Sequence, residues 1–140
     1  MKIKQMQIIE KYVKLKIYPS GAPAIITHID IPENAIVDRI EIYANPPITT
    51  WVGMGTSLGT SNSREFTCSD TAPCIDYIPL IEITGLFNYG GDKEVFNTRI
   101  THIWAQAMSS SSDVYSILLI RLLCRGECTP NIWIERRSIQ

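Results

Sequence analysis

A chain of 140 residues is the length of one domain and long enough to bury a core without added staples. Charged residues make up 19% against 45% apolar, where about a quarter charged is usual for a lone soluble protein; the deficit points to surface covered by another subunit. No segment approaches the roughly 18 apolar residues of a membrane span, and residues 1–5 are not followed by an apolar run with a small-residue cleavage site, so neither a membrane partner nor a secretory leader is expected and folding in a reducing cytoplasm is.

The net charge of −1 is unevenly spread. Residues 1–16 carry five lysines against Glu10, residues 17–120 four basic and eleven acidic side chains, and residues 121–140 four basic and two acidic. Basic ends flank an acidic body. Arginine is absent from the first sixteen residues and the only aromatic near the lysines is Tyr12, with Tyr18 just beyond, so nucleic acid is not the expected partner. Two readings remain: a strand edge guarded by lysine, or a basic arm lying on the acidic body of the next copy.

Period-two patterning runs through the chain. Residues 1–11 read as an extended arm. From Tyr12 to Tyr18 apolar Val13, Leu15 and Ile17 alternate with lysines, and Pro19 to Pro23 is a loop. Ile25, Thr27, Ile29 and Ile31 alternate with Ile26, His28 and Asp30, before a turn at Pro32-Glu33-Asn34. Ile40, Ile42 and Ala44 define the next strand, which Asn45-Pro46-Pro47 ends. Thr49 to Thr56 is a strand whose glycines, Gly53 and Gly55, mark a bulge or a close backbone approach. Residues 57–74 read as a long polar loop with one short strand near Phe66. Tyr77 to Ile83 is a strand demoted to an edge by Pro79, and Phe87 to Lys93 a hairpin tip. Arg99 to Ala107 is a strand, Ser109 to Asp113 a loop, and Val114 to Cys124 the strongest strand of all. A last short strand includes Ile132-Trp133-Ile134.

These elements predict an all-β, single-domain antiparallel sandwich of about eight strands, jelly-roll-like, with an immunoglobulin-like order as the competitor. The sandwich spans residues 12–124, and residues 125–140 form a tail. One strand is unusual: Ser116, Leu118, Ile120 and Leu122 form one face, and Tyr115, Ile117, Leu119, Arg121 and Leu123 the other. A sandwich strand normally has one wet face, so loops or a second subunit must cover the other. The expected subunit interface therefore combines Tyr115, Ile117, Leu119 and Leu123 with Lys2, Lys4 and Lys11 of the arm and Trp133 of the tail.

Catalytic machinery is not visible. His28 and His102 each sit in a strand pattern without a His, Cys or carboxylate at metal-ligand spacing. Cys68 and Cys74 (C-x5-C) and Cys124 and Cys128 (C-x3-C) are compatible with free thiols, with one or two disulfides, or with metal; cross-pairing stays open. Val52 to Thr56 contains Gly-x-Gly but lacks the third glycine and a following helix, so no phosphate loop is read. Asp70, Asp76, Asp92 and Asp113 lie in loop or edge stretches without the regular spacing of a calcium site. Trp51, Tyr89, Trp104 and Trp133 would form a sugar platform only if exposed together; as core or interface aromatics they need no ligand. No cofactor is expected.

The stretch from Ile29 through Pro32, Ala35 and Val37 to Tyr43, with its continuation from Trp51 to Ser57, resembles small β-sandwich structural proteins of tailed bacteriophage virions. The shared pattern is an apolar–Pro–x–x–Ala–x–apolar turn into a strand, then a Val-Gly-x-x-Thr strand and a polar loop. It covers roughly residues 25–60, and the Asn45-Pro46-Pro47 break, the cysteine loop and the Trp-containing tail depart from it. The resemblance implies a non-enzymatic head-decoration, head-fibre, connector or tail component of a virion, usually oligomeric. The expectation is a protein assembled in the host cytoplasm into the virion, with itself (as a trimer) and other virion proteins as partners. A carbohydrate- or receptor-binding module, with glycan as ligand, is the alternative.

Overall fold

The computed structural model describes residues 6–54, 63–69, 71–78 and 100–137. Ten strands follow in chain order: β1 (Met6–Lys14), β2 (Ile17–Tyr18), β3 (Ile25–Asp30), β4 (Ala35–Asn45), β5 (Ile48–Met54), β6 (Ser63–Cys68), β7 (Cys74–Ile78), β8 (His102–Met108), β9 (Tyr115–Arg125) and β10 (Asn131–Arg136). They pair into two sheets packed face to face. Sheet A has the order β1-β9-β4-β7, and sheet B the order β10-β3-β8-β5-β6, with β2 pairing alongside β8.

This order decides between the two expected sandwiches. With β2 and β10 set aside, the other eight strands in chain order occupy places 1-8-3-6 in sheet A and 2-7-4-5 in sheet B. That wrapped sequence, in which successive strands alternate between sheets except for the hairpin of places 4 and 5, is the jelly roll. The chain crosses between the sheets at Pro32, whose carbonyl accepts from the Ala35 amide at 3.1 Å, and at Asn45-Pro46-Pro47, where the Pro46–Pro47 peptide is cis.

The core follows from the alternation. Leu118, Ile120, Leu122 and Cys124 of β9 and Ile40 and Ile42 of β4 pack against Ile29, Val52, Met54, Ile103 and Ala105 of sheet B. Each such side chain contributes roughly 1.5–3 kcal/mol relative to exposure. One polar link crosses this apolar layer: the buried hydroxyls of Thr50 in β5 and Ser116 in β9 lie 2.8 Å apart, so each satisfies the other.

One expectation changes. Residues 6–11 are not a detached arm: β1 pairs with β9 antiparallel from Met6↔Arg125 to Lys14↔Ile117 and is the outermost described strand of sheet A. The short strand expected around Ile132-Trp133-Ile134 is β10, which joins the sandwich by pairing with β3 from Asn131↔Asp30 to Arg136↔Ile25. The expected strand over Tyr77 to Ile83 is described only as far as Ile78, and the hairpin tip at Phe87 to Lys93 lies outside the described residues.

Both cysteine pairs are closed locally. Cys68 and Cys74 join the end of β6 to the start of β7, fastening sheet B to sheet A with their Cα atoms 5.9 Å apart. Cys124 and Cys128 close the turn after β9, with Cα atoms 6.1 Å apart, where Asn34 also donates to the carbonyls of Arg125 and Glu127. Removing the first bridge (Cys68→Ser with Cys74→Ser) should lower unfolding stability by about 2 kcal/mol, the loop-closure value for so short a loop; urea titration under non-reducing conditions reads it.

Gly53 is the close approach that its place in a strand suggested. It lies opposite Trp104, and a Cβ there would meet the indole ring, which is itself 3% exposed. Gly53→Ala should cost about 1–3 kcal/mol by overpacking. Adding Trp104→Leu should make the double variant lose less than the sum of the two singles, and strict additivity in urea unfolding would show that the ring is not the obstacle.

Candidate functional site

The two outer faces of the sandwich differ in chemistry. On sheet A the outward row of β9 (Tyr115, Ile117, Leu119, Arg121 and Leu123) forms the floor. The registers place Ile8 and Ile36 on either side of Leu123, Tyr12 and Glu41 beside Leu119 with Tyr77 beyond, and Lys14 and Tyr43 beside Ile117 with Ile75 beyond. Ile75, Ile8 and Tyr12 are 70%, 66% and 62% exposed. Of the eight large apolar side chains that stand exposed among the described residues, six belong to this face: Met6, Ile8, Tyr12, Ile36, Ile75 and Tyr77.

Four charges within the face, those of Arg121, Asp38, Arg39 and Glu41, pair with one another. Arg121 donates to Asp38 at 2.6 Å, Arg39 lies 2.6 Å from Glu41 and stacks over the Tyr77 ring, and the Tyr43 hydroxyl donates to Glu41. That hydrogen bond, with burial adding, pushes the Tyr43 hydroxyl above its ordinary range. The result is a flat surface, apolar at its rim, with its inner charges already neutralised.

Of the expected interface residues, Tyr115, Ile117, Leu119 and Leu123 lie together here. Lys11 stands at the β1 edge opposite Ile120, on the core-facing register, and Lys2 and Lys4 lie outside the described residues. Trp133 belongs to the other sheet. The flanking residues Ile8, Tyr12, Ile36, Ile75 and Tyr77 were not singled out, although the every-second-residue spacing of Ile75 and Tyr77 carried the signal.

The outer face of sheet B carries instead a polar row built around two buried histidines. Strand pairing brings Trp133 of β10, His28 of β3 and Trp104 of β8 side by side, with Asn131, Asp30 and His102 in the adjacent row. His28 Nε2 lies 2.7 Å from Glu135 Oε1, His28 Nδ1 lies 2.8 Å from His102 Nε2, and His102 Nδ1 lies 2.8 Å from Asp30 Oδ1. Trp133 stacks flat on the His28 ring at 3.9 Å and donates its indole N–H to Asp30 Oδ2 at 2.9 Å, where Asn131 also donates. Arg137 donates to the free oxygen of Glu135.

Burial pushes the Asp30 carboxyl up, but hydrogen bonds from His102, Asn131 and Trp133 outweigh it and hold Asp30 below the ordinary aspartate range. The hydrogen bond from His28, helped by Arg137, does the same for Glu135 against its burial. Sequence spacing could not show this row, because its members come from three strands far apart in the chain.

The row is not arranged as a metal centre. A tetrahedral metal at about 2.0–2.1 Å from each imidazole would hold the two nitrogens more than about 3.2 Å apart, and among the described residues no group of three His, Cys, Asp or Glu side chains is placed to hold a cation. A groove lined by Tyr18, Pro23, Ile25, Arg136 and Arg137, and another by Pro47, Thr49, Cys68 and Ser109, do not reach His28, His102 or Asp30. The three tryptophans do not make an exposed platform either: Trp104 is buried, Trp51 is half-buried, and Trp133 is turned onto His28. No protein-family model, no curated protein and no solved structure matches the chain.

The ionised carboxylates give a testable pH signature. Because both are held low in the folded state, the stability they contribute is present above their unfolded values, near 4, and is lost as pH falls through the folded ones. Trp133→Phe keeps the stacking and removes one donor to Asp30. It should destabilise by about 1 kcal/mol near neutral pH, and the gap from wild type should narrow progressively as pH falls below about 4 in guanidinium titrations. A gap that does not narrow would show that the indole does not favour the ionised carboxylate.

Proposed function

We propose that the chain is a non-enzymatic structural protein that works by assembly, burying the outer face of sheet A against further copies of itself and other components of a phage particle. The observation that carries this reading is the concentration of exposed apolar side chains on that one face, beside the paired charges of Arg121, Asp38, Arg39 and Glu41. Lone soluble proteins rarely expose a contiguous apolar patch of this kind unless something binds it. Among the described residues no strand pairs with the outer edge of β1, which borders the patch and offers backbone donors and acceptors to a neighbouring strand.

Three features support the setting. The turn and strands that resemble phage β-sandwich proteins, over residues 25–60, are the ones that carry the chain between the two sheets. The jelly-roll order is a common design for particle subunits. Two closed disulfides suit a protein that works in an oxidising medium, such as a released particle meets.

Light scattering across a concentration series should show a homo-oligomer, with a trimer as the expected state. Ile8→Lys together with Ile75→Lys should shift it to monomer. Both sites are exposed, so stability should change by no more than about 0.5 kcal/mol per substitution. A wild-type chain that stays monomeric at high concentration, or an oligomer indifferent to both lysines, would remove this reading.

A further inference from the structure

The row Glu135–His28–His102–Asp30 contains three contacts in series, and each needs one proton between its two heavy atoms. Both carboxylates are already engaged as acceptors elsewhere, Asp30 from Trp133 and Asn131, Glu135 from Arg137. They therefore take N–H donors from the rings: His28 gives its Nε2 proton to Glu135 and His102 gives its Nδ1 proton to Asp30. With two neutral imidazoles those are the only protons available. The middle contact would then be two lone pairs facing each other across 2.8 Å. A third proton turns it into a hydrogen bond; a fourth would set two N–H groups against each other.

We infer that this row is a proton-binding site that holds one proton between His28 and His102, and that β10 stays docked on β3 through that proton. The pair then carries a single positive charge between two carboxylates, one at each end. Among the described residues the groups around it are Glu135, Arg137, Trp133 and Asn131 from β10 and its end, Asp30 from β3, and the His102 ring from β8. Tyr18, which pairs alongside β8, donates to Gln106 and takes no part. The device is mechanical: Trp133 stacks on His28 and Glu135 bonds to it, so two side chains of β10 are held by one ring. Losing the proton separates the rings and loosens the strand. The inference stands on hydrogen-bond accounting and does not rest on the assembly reading.

A carboxamide at either end separates this account from an ordinary polar cluster. In Glu135→Gln the new NH2 donates to His28 Nε2, His28 Nδ1–H donates to His102, and His102 Nδ1–H donates to Asp30. The row is then complete with neutral rings and needs no extra proton. Asp30→Asn does the same from the other end. Nitrogen-15 NMR of histidine-labelled protein at about pH 7.5, above the ordinary imidazole value of about 6.5, should find three of the four ring nitrogens protonated in the wild type and two in Glu135→Gln. By linkage, hydrogen exchange should show the β10 opening constant rising by up to about tenfold per pH unit above neutrality in the wild type, beyond the chemical rate, and staying flat in the variant. Two protonated nitrogens in the wild type, or equal pH dependence in both proteins, would overturn the inference. If Glu135→Gln does not fold, Asp30→Asn takes its place, and the wild-type nitrogen count decides by itself.

Discussion

Everything in this sandwich turns on β9, a strand obliged to be apolar on both faces. Its inward row, Ser116, Leu118, Ile120, Leu122 and Cys124, is fully buried and closes the core from the centre of sheet A. β1 lies on one side of it and β4 on the other, over nearly their whole lengths. A strand in that position fixes the register of both neighbours, because a slip of one residue would turn every inward side chain outward. The same alternation that seals the core therefore sets the outer row, Ile117, Leu119 and Leu123, as a floor, and places Ile8, Tyr12, Ile36 and Tyr43 around it.

The two outer faces answer the problem of burial differently. On sheet A the central charges of Arg121, Asp38, Arg39 and Glu41 pair and leave an exposed apolar rim. On sheet B the outward positions carry Trp104, which lies over Gly53, and the histidine row. Its edge strand β10 is held by backbone pairing, by one stacked indole and by the carboxylate–histidine contacts. A buried polar link inside the core, Thr50 with Ser116, joins the two sheets.

Much of the fold was legible because strand alternation is a local signal. β3, β4 and β10 lie where apolar and polar residues alternate, β8 and β9 lie in mainly apolar runs of strand length, and Asn45-Pro46-Pro47 ends β4 as expected. β1 escaped because the alternation breaks down at a sheet edge: Gln7 and Lys11 occupy core-facing register positions opposite Cys124 and Ile120. Strand order was not legible, since jelly-roll and immunoglobulin-like arrangements share the same local pattern and differ in which distant strands pair. The histidine row failed for the same reason. His28 and His102 are 74 residues apart and His28 and Glu135 are 107 apart, and only cross-strand register joins them. The cysteine bridges were visible as one option among several, and closure of Cys68 with Cys74 depends on β6 ending beside the start of β7.

The central claim is that the outer face of sheet A, bordered by β1, is a contact surface. Hydrogen exchange measured at increasing protein concentration tests it most directly. The account predicts that the β1 amides gain protection as concentration rises, while those of β6, at the far edge of sheet B, do not change. Exchange in β1 that is independent of concentration, up to the highest attainable, would contradict it.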